Sequence, residues 1–195
     1  GVINGVNVGV NAAIAPVLQL YPLPTRQTPA QAAQGIGRTD VTNEIPGHEH
    51  YFVGRIDYNL TPSSNLFVRY TLDRASVFEP NSGSAIPLWN SNDDSENHYV
   101  TAELRQALNP KTANSVRFGT TRTSEEATRT DLDNGLLKFF PERQSGSVNP
   151  GSGVTGVGGN QVLPFTQRQT RFIVGDDLVW SGGGHSLTLG AEYER

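Results

Sequence analysis

From Tyr51 the chain alternates between two kinds of side chain. Phe52, Ile56, Tyr58 and Leu60 fall at even positions with Gly54 between them, while Arg55, Asp57 and Asn59 fall at odd positions with Val53. Successive side chains of a strand point to opposite faces, so a period of two sorts residues into two environments. The segment Thr61 to Asn65 is made of turn formers. After it, Leu66, Val68, Tyr70 and Leu72 oppose Phe67, Arg69, Thr71 and Asp73. A second copy sets Val100, Ala102, Leu104 and Leu108 against Thr101, Glu103, Arg105 and Ala107, turns at Asn109 to Thr112, and returns with Val116 and Phe118 opposite Ser115 and Arg117. A third carries Phe172, Val174, Leu178 and Trp180, turns at Ser181 to Gly184, and returns with Leu187, Leu189, Ala191 and Tyr193. Asp176 interrupts its first apolar face, and a β-bulge or a place near the membrane interface would accommodate it.

This pattern predicts an all-β chain: six strands as three hairpins, near 50–60, 66–74, 98–108, 113–123, 168–181 and 185–195, after a loop or linker region over 1–47. Each strand is about 9–11 residues, the length a tilted strand needs to cross hydrocarbon. Long connections, Ala75 to Asn97 and Ser124 to Thr166, alternate with tight turns. That asymmetry matches transmembrane barrels, which have short periplasmic turns and long extracellular loops. It places Pro62, Pro110 and Gly183 on the periplasmic side, with Trp180 at that boundary. Alternating hairpins also build soluble sandwiches. A structureless connection of about forty residues is unusual in a compact soluble domain and favours the antiparallel transmembrane β-barrel.

Composition agrees with the barrel. Hydrophobic residues make up 35% and charged residues 17%, with 21 Gly and 12 Pro; soluble domains carry ~25% charge. A net charge of −4 gives no basic footprint for nucleic acid. Cysteine is absent, which excludes disulfide frameworks and thiolate metal sites. No apolar run reaches the ~18 residues of a transmembrane helix, so a membrane-spanning form must be a closed barrel. The chain reads as an internal segment: it lacks an initiating Met and a signal-like leader, and it stops mid-strand at Leu187 to Arg195.

Four stretches carry a family resemblance: IAPVLQLYPLPT (Ile14 to Thr25), HYFVGRIDYNLTPSSNLFVRYTLD (His50 to Asp73), NPKTANSVRFGTTRT (Asn109 to Thr123) and VGDDLVWSGGGHSLTLGAEYER (Val174 to Arg195). In order and spacing they resemble TonB-dependent outer-membrane receptors of the large Oar-like type. Asp177 stands where that pattern often has Asn. The resemblance implies a barrel of roughly 22 strands with a plugged lumen, an upstream plug domain, and energy coupling through TonB, in contact with outer-membrane lipid. It implies transport of a substrate whose chemistry stays open, from iron chelates to peptides. Arg55, Asp57, Arg69, Asp73, Glu103, Arg105 and Arg117 would face the lumen, where opposite charges on neighbouring strands can pair. Phe78, Trp89, Phe139, Phe140 and Phe165 are the loop residues able to contact a ligand; packing the loops together is their simpler role. A passive pore, or a soluble sandwich binding module, would use the same strands.

Other motifs carry less. GSGVTG (Gly151, Gly153, Gly156) matches a GxGxxG string, but Pro150 precedes it and Gly158, Gly159 and Pro164 follow, where a dinucleotide site needs a strand before and a helix after. His48 and His50 flank a strand start. Asp93, Asp94 and Glu96 read as a solvated acidic loop tip, although clustered carboxylates suit Ca²⁺. DLDNG (Asp131 to Gly135) lacks the downstream Glu of an EF-hand and reads as a turn. No GxSxG elbow is present. The chain is expected to be no enzyme and to need neither metal nor cofactor. A six-stranded sheet on its own keeps two unpaired edges and is expected to self-associate.

Overall fold

The computed structural model describes residues 2, 3, 5–130, 135–140, 142, 146–151 and 153–195. Six strands lie side by side in chain order: β1 (Gly47–Thr61), β2 (Ser64–Glu79), β3 (Ser91–Asn109), β4 (Thr112–Arg129), β5 (Phe165–Gly182) and β6 (His185–Glu194). The sheet does not close, so β1 and β6 are its edges.

Each tight turn uses a different local device. At Pro62–Ser63 the Thr61 hydroxyl accepts from the Ser63 amide at 3.3 Å, next to a register shift between Asn59 and Thr61. At Pro110–Lys111 the Asn109 side chain accepts from the Lys111 amide at 2.9 Å, a side-chain mimic of a backbone turn. At the third, Gly183 and Gly184 take φ of +59° and +82°. Both central residues of a type I′ hairpin need this left-handed conformation.

Register places the apolar residues together. Phe52 pairs with Leu72, Ile56 with Val68 and Tyr58 with Leu66; Leu187 pairs with Trp180, Leu189 with Leu178 and Tyr193 with Val174. This face is bare, with Ile56 73% and Leu189 56% exposed. A soluble sandwich would cover it with a second sheet. On the opposite face, Asn59 of β1 and Asp177 of β5 line one cavity of about 400 Å³ with Arg105 and Ser115 between them. Strands lie about 4.8 Å apart, so a flat sheet would hold β1 and β5 four spacings apart. The polar face is therefore concave and the apolar face convex, the curvature of a membrane barrel wall.

Two expectations need correction. No bulge re-aims Asp176: its pairings with Val116 and Ala191 continue an unbroken register on both sides. It stays on the apolar face, and the Asn114 side-chain amide donates to it at 2.8 Å. The strands also overrun their expected ends. β2 to β5 run 16, 19, 18 and 18 residues, leaving connections of only Pro80 to Asn90 and Thr130 to Pro164. Asp93, Asp94 and Glu96 therefore lie within β3 rather than at a loop tip, and Phe78 and Phe165 lie within β2 and β5.

The residues divide into two compact units. One is the sheet, 47–77, 93–127 and 165–195; the other gathers 1–46, 78–92 and 128–164. The second unit has its own apolar core of Ile86, Trp89, Leu137 and Val157, with Val17, Leu20, Tyr21, Leu88, Phe139 and Val148 packed against it. Among the described residues it holds two short α-helices, α1 (Ala15–Leu18) and α2 (Pro29–Ala33). The second is entered through a capping box in which Thr28 and Gln31 satisfy each other's backbone amides.

Candidate functional site

All seven charged residues singled out from the sequence share the concave face, because each occupies an odd position on β1 to β4. Their pairing differs from the cross-strand pattern expected. Arg55 stands directly opposite Arg69. Like charges in register repel, and Arg55 instead turns along its own strand to Asp57, donating two hydrogen bonds of 2.7 Å. Its guanidinium also lies 4.2 Å over the Phe67 ring, a cation–π contact. Arg105 makes the same two-residue clasp with Glu103, twice at 2.9 Å, and Ser115 adds a hydroxyl donor at 2.8 Å. Glu103 is 8% exposed, so these three donors replace the water that a buried carboxylate loses.

Cross-strand ion pairs do form further along the sheet. Arg117 reaches Asp177 at 2.5 Å between β4 and β5, and Arg171 reaches Glu194 at 2.5 Å between β5 and β6. Arg171 and Glu194 escaped the sequence reading. Carrying the alternation two residues upstream of Ile173, and matching β6 to β5, would have found them.

Arg69 and Asp73 are what remains. Among the described residues Arg69 has no ion pair, and Asp73 has a buried Oδ1 without a hydrogen-bond partner. They sit four residues apart on β2 and line a cavity of about 460 Å³ with Tyr51, Tyr99, Thr101 and Arg171. A wall that ties up Arg55, Arg105 and Arg117 with its own carboxylates while leaving Arg69, Asp73 and several hydroxyls beside a cavity can hydrogen-bond a polar solute.

The aromatic candidates separate. Trp89 is fully buried, donates from its indole to the Leu137 carbonyl at 3.1 Å, and packs a tilted Phe139 ring at 5.9 Å. Both side chains hold their unit together, so Trp89 offers no surface to a ligand. Phe140 is half exposed. In the same unit a cavity of about 630 Å³ opens among Tyr21, Gln31, Arg38, Thr39, Ile86 and Thr155, none of which the sequence singled out as a site residue. The Tyr21 hydroxyl donates to the Thr155 carbonyl at 2.6 Å, and burial pushes its phenol above the ordinary value.

The remaining motifs are placed as follows. Gly151, Gly153 and Gly156 lead to a two-residue strand, Val157–Gly158, rather than to a helix. Asp131 to Asn134 of DLDNG lie outside the described residues. His98 bridges the Tyr70 hydroxyl at 2.7 Å and Glu96 at 2.8 Å, and Arg74 closes on the same carboxylate from β2. Among the described residues, no three His, Asp or Glu side chains are grouped as metal ligands.

A family model described as an outer membrane beta barrel domain matches residues 3–195. No curated protein and no solved structure matches the chain.

Proposed function

This chain belongs to the outer membrane beta barrel domain family and resides in the bacterial outer membrane, and from that premise we propose that it forms part of the wall of a TonB-dependent transporter. The carrying observation is the concave polar face, on which Arg55, Arg105, Arg117 and Arg171 are each held by a carboxylate while, among the described residues, Arg69 and Asp73 hold no ion pair and line a cavity. In this reading the seven charged residues face the lumen and the convex apolar face meets lipid. The open edges of β1 and β6 take further strands, which remove edges by closing the barrel. The four receptor-like stretches support the energised form. A plug domain inside the barrel would release solute when TonB engages it, and the folded loop unit, with its 630 Å³ cavity, would capture solute first.

A passive pore is the competing reading, and it needs no plug. Planar-bilayer recording of the complete gene product separates the two without knowledge of the substrate. A plugged transporter shows no steady conductance and binds the periplasmic domain of TonB. A stable open channel that ignores TonB would end the transporter reading.

A further inference from the structure

The loop-side border of the apolar face carries a cluster of arginines that the transport reading does not use. Along β4 and β5, Thr120 pairs with Phe172, then Arg122 with Thr170, then Ser124 with Arg168. Arg195 exchanges two backbone hydrogen bonds with Phe172, of 2.8 and 2.9 Å, so it extends the Phe172 row onto the next strand. Three arginines therefore surround Thr170 on one face: Arg122 opposite it, Arg168 two residues along its strand, and Arg195 on the diagonal. Directly opposite and diagonal positions on one face lie within about 5–8 Å of each other, so three arginine side chains start from positions around a single hydroxyl.

Among the described residues they share with Arg69 the lack of an ion pair, unlike their neighbours Arg117 and Arg171. Arg55, Arg105, Arg117 and Arg171 on the concave face each hold a carboxylate, and Arg74 on the convex face holds Glu96. Among the described residues Arg122, Arg168 and Arg195 have no ion pair, and Arg122 donates a long hydrogen bond of 3.5 Å to the Thr170 hydroxyl. Glu126 occupies the same face one row beyond Ser124, opposite Thr166, and pairs with none of them. On the other side of Thr170 the face becomes hydrocarbon-like, with Phe118, Phe172, Val174 and Tyr193.

We propose that Arg122, Arg168, Arg195 and Thr170 bind the phosphate headgroup of an outer-leaflet lipid whose acyl chains lie along Phe118, Phe172 and Val174. Guanidinium groups recognise phosphate with paired donors, and basic side chains at a membrane border favour anionic lipid. An amphiphile with an anionic head matches an anion site joined to an apolar slope. The inference rests on the convex face being the lipid face.

The test uses the complete gene product in phosphatidylcholine nanodiscs doped with bisphosphorylated lipid A, with retained lipid read by native mass spectrometry. Arg122→Gln with Arg168→Gln should weaken lipid A retention on the order of tenfold, and Thr170→Val should weaken it less. Lys111→Gln with Lys138→Gln, an equal charge change outside the cluster, should leave retention as in the parent. Equal loss in that control, unchanged retention in the arginine pair, or displacement of lipid A by inorganic phosphate alone would each overturn the proposal. A nitroxide at Leu189 checks the premise separately. If it senses water, the lipid-face assignment fails and this inference with it; if it senses acyl chains while the arginine pair retains lipid A, only this inference fails.

Discussion

Asp176 is a carboxylate among residues suited to hydrocarbon, midway between Phe172 and Trp180 on the convex face. Its Asn114 hydrogen bond offsets part of its desolvation. Asp176→Val should therefore stabilise the barrel by about 1–2 kcal/mol, less than the cost of a basic residue at mid-membrane. Asn114→Ala should cost about 1 kcal/mol by stranding the carboxylate. Urea midpoints for folding into phosphatidylcholine vesicles measure both, and a destabilised Asp176→Val would show that the carboxylate has another partner. Beyond the apolar rows, Glu96 is held below the usual glutamate range, first by the His98 hydrogen bond and then by Arg74. A depressed carboxylate contributes stability above its unfolded value and loses it as pH falls through the folded value. A carboxyl carbon titration should place Glu96 below an ordinary glutamate, and Arg74→Gln should move it back up. At this scale the alternation assigned faces correctly for Phe52, Ile56, Leu189 and their neighbours. It could not show that Arg55 meets Arg69 or that Asp176 stays on the apolar face, because both depend on register between strands.

Strands and turns were legible wherever two solvents act on one strand. Between lipid and a wet interior, hydrophobicity must alternate, and Tyr51 to Asp73 shows it. Past the apolar rows both faces meet water and the alternation loses its cause, yet the backbone ladder continues through Ser76, Asn92 and Ser124. This is why β2 to β5 outrun their expected ends. The third turn is the element most sensitive to one substitution. A Cβ at Gly183 or Gly184 would meet nothing within 4 Å, so any penalty comes from backbone conformation alone. Gly183→Val should destabilise the hairpin by about 1–2 kcal/mol, read as a lower urea midpoint with unchanged lipid contacts at Leu189. Gly183→Asn should recover most of the loss, since Asn tolerates the left-handed region.

The whole molecule has two units of unlike origin, an open sheet and a unit with a packed core, and only the sheet shows in sequence. The sheet repeats a local rule along each strand. The packed core brings Trp89, Leu137 and Val157 from separate segments with no shared period, so nothing along the chain foretells their meeting. Trp89→Ala should cost that unit about 3–5 kcal/mol. Limited proteolysis should then cut within 80–90 and 130–164 much faster, while the hairpin registers survive. Equal protection of both segments in the variant would mean that the unit does not depend on Trp89.

The overrun of β2 to β5 reaches beyond stability. A span of about ten residues crosses the hydrocarbon, so β3, with 19 residues, leaves roughly nine outside it, on the order of 30 Å of rung-linked strand. The backbone ladder between β4 and β5 continues through this stockade as far as Ala127 and Phe165. Large particles arriving from the medium, such as antibodies or phage tails, would meet its crest well before they reached the bilayer.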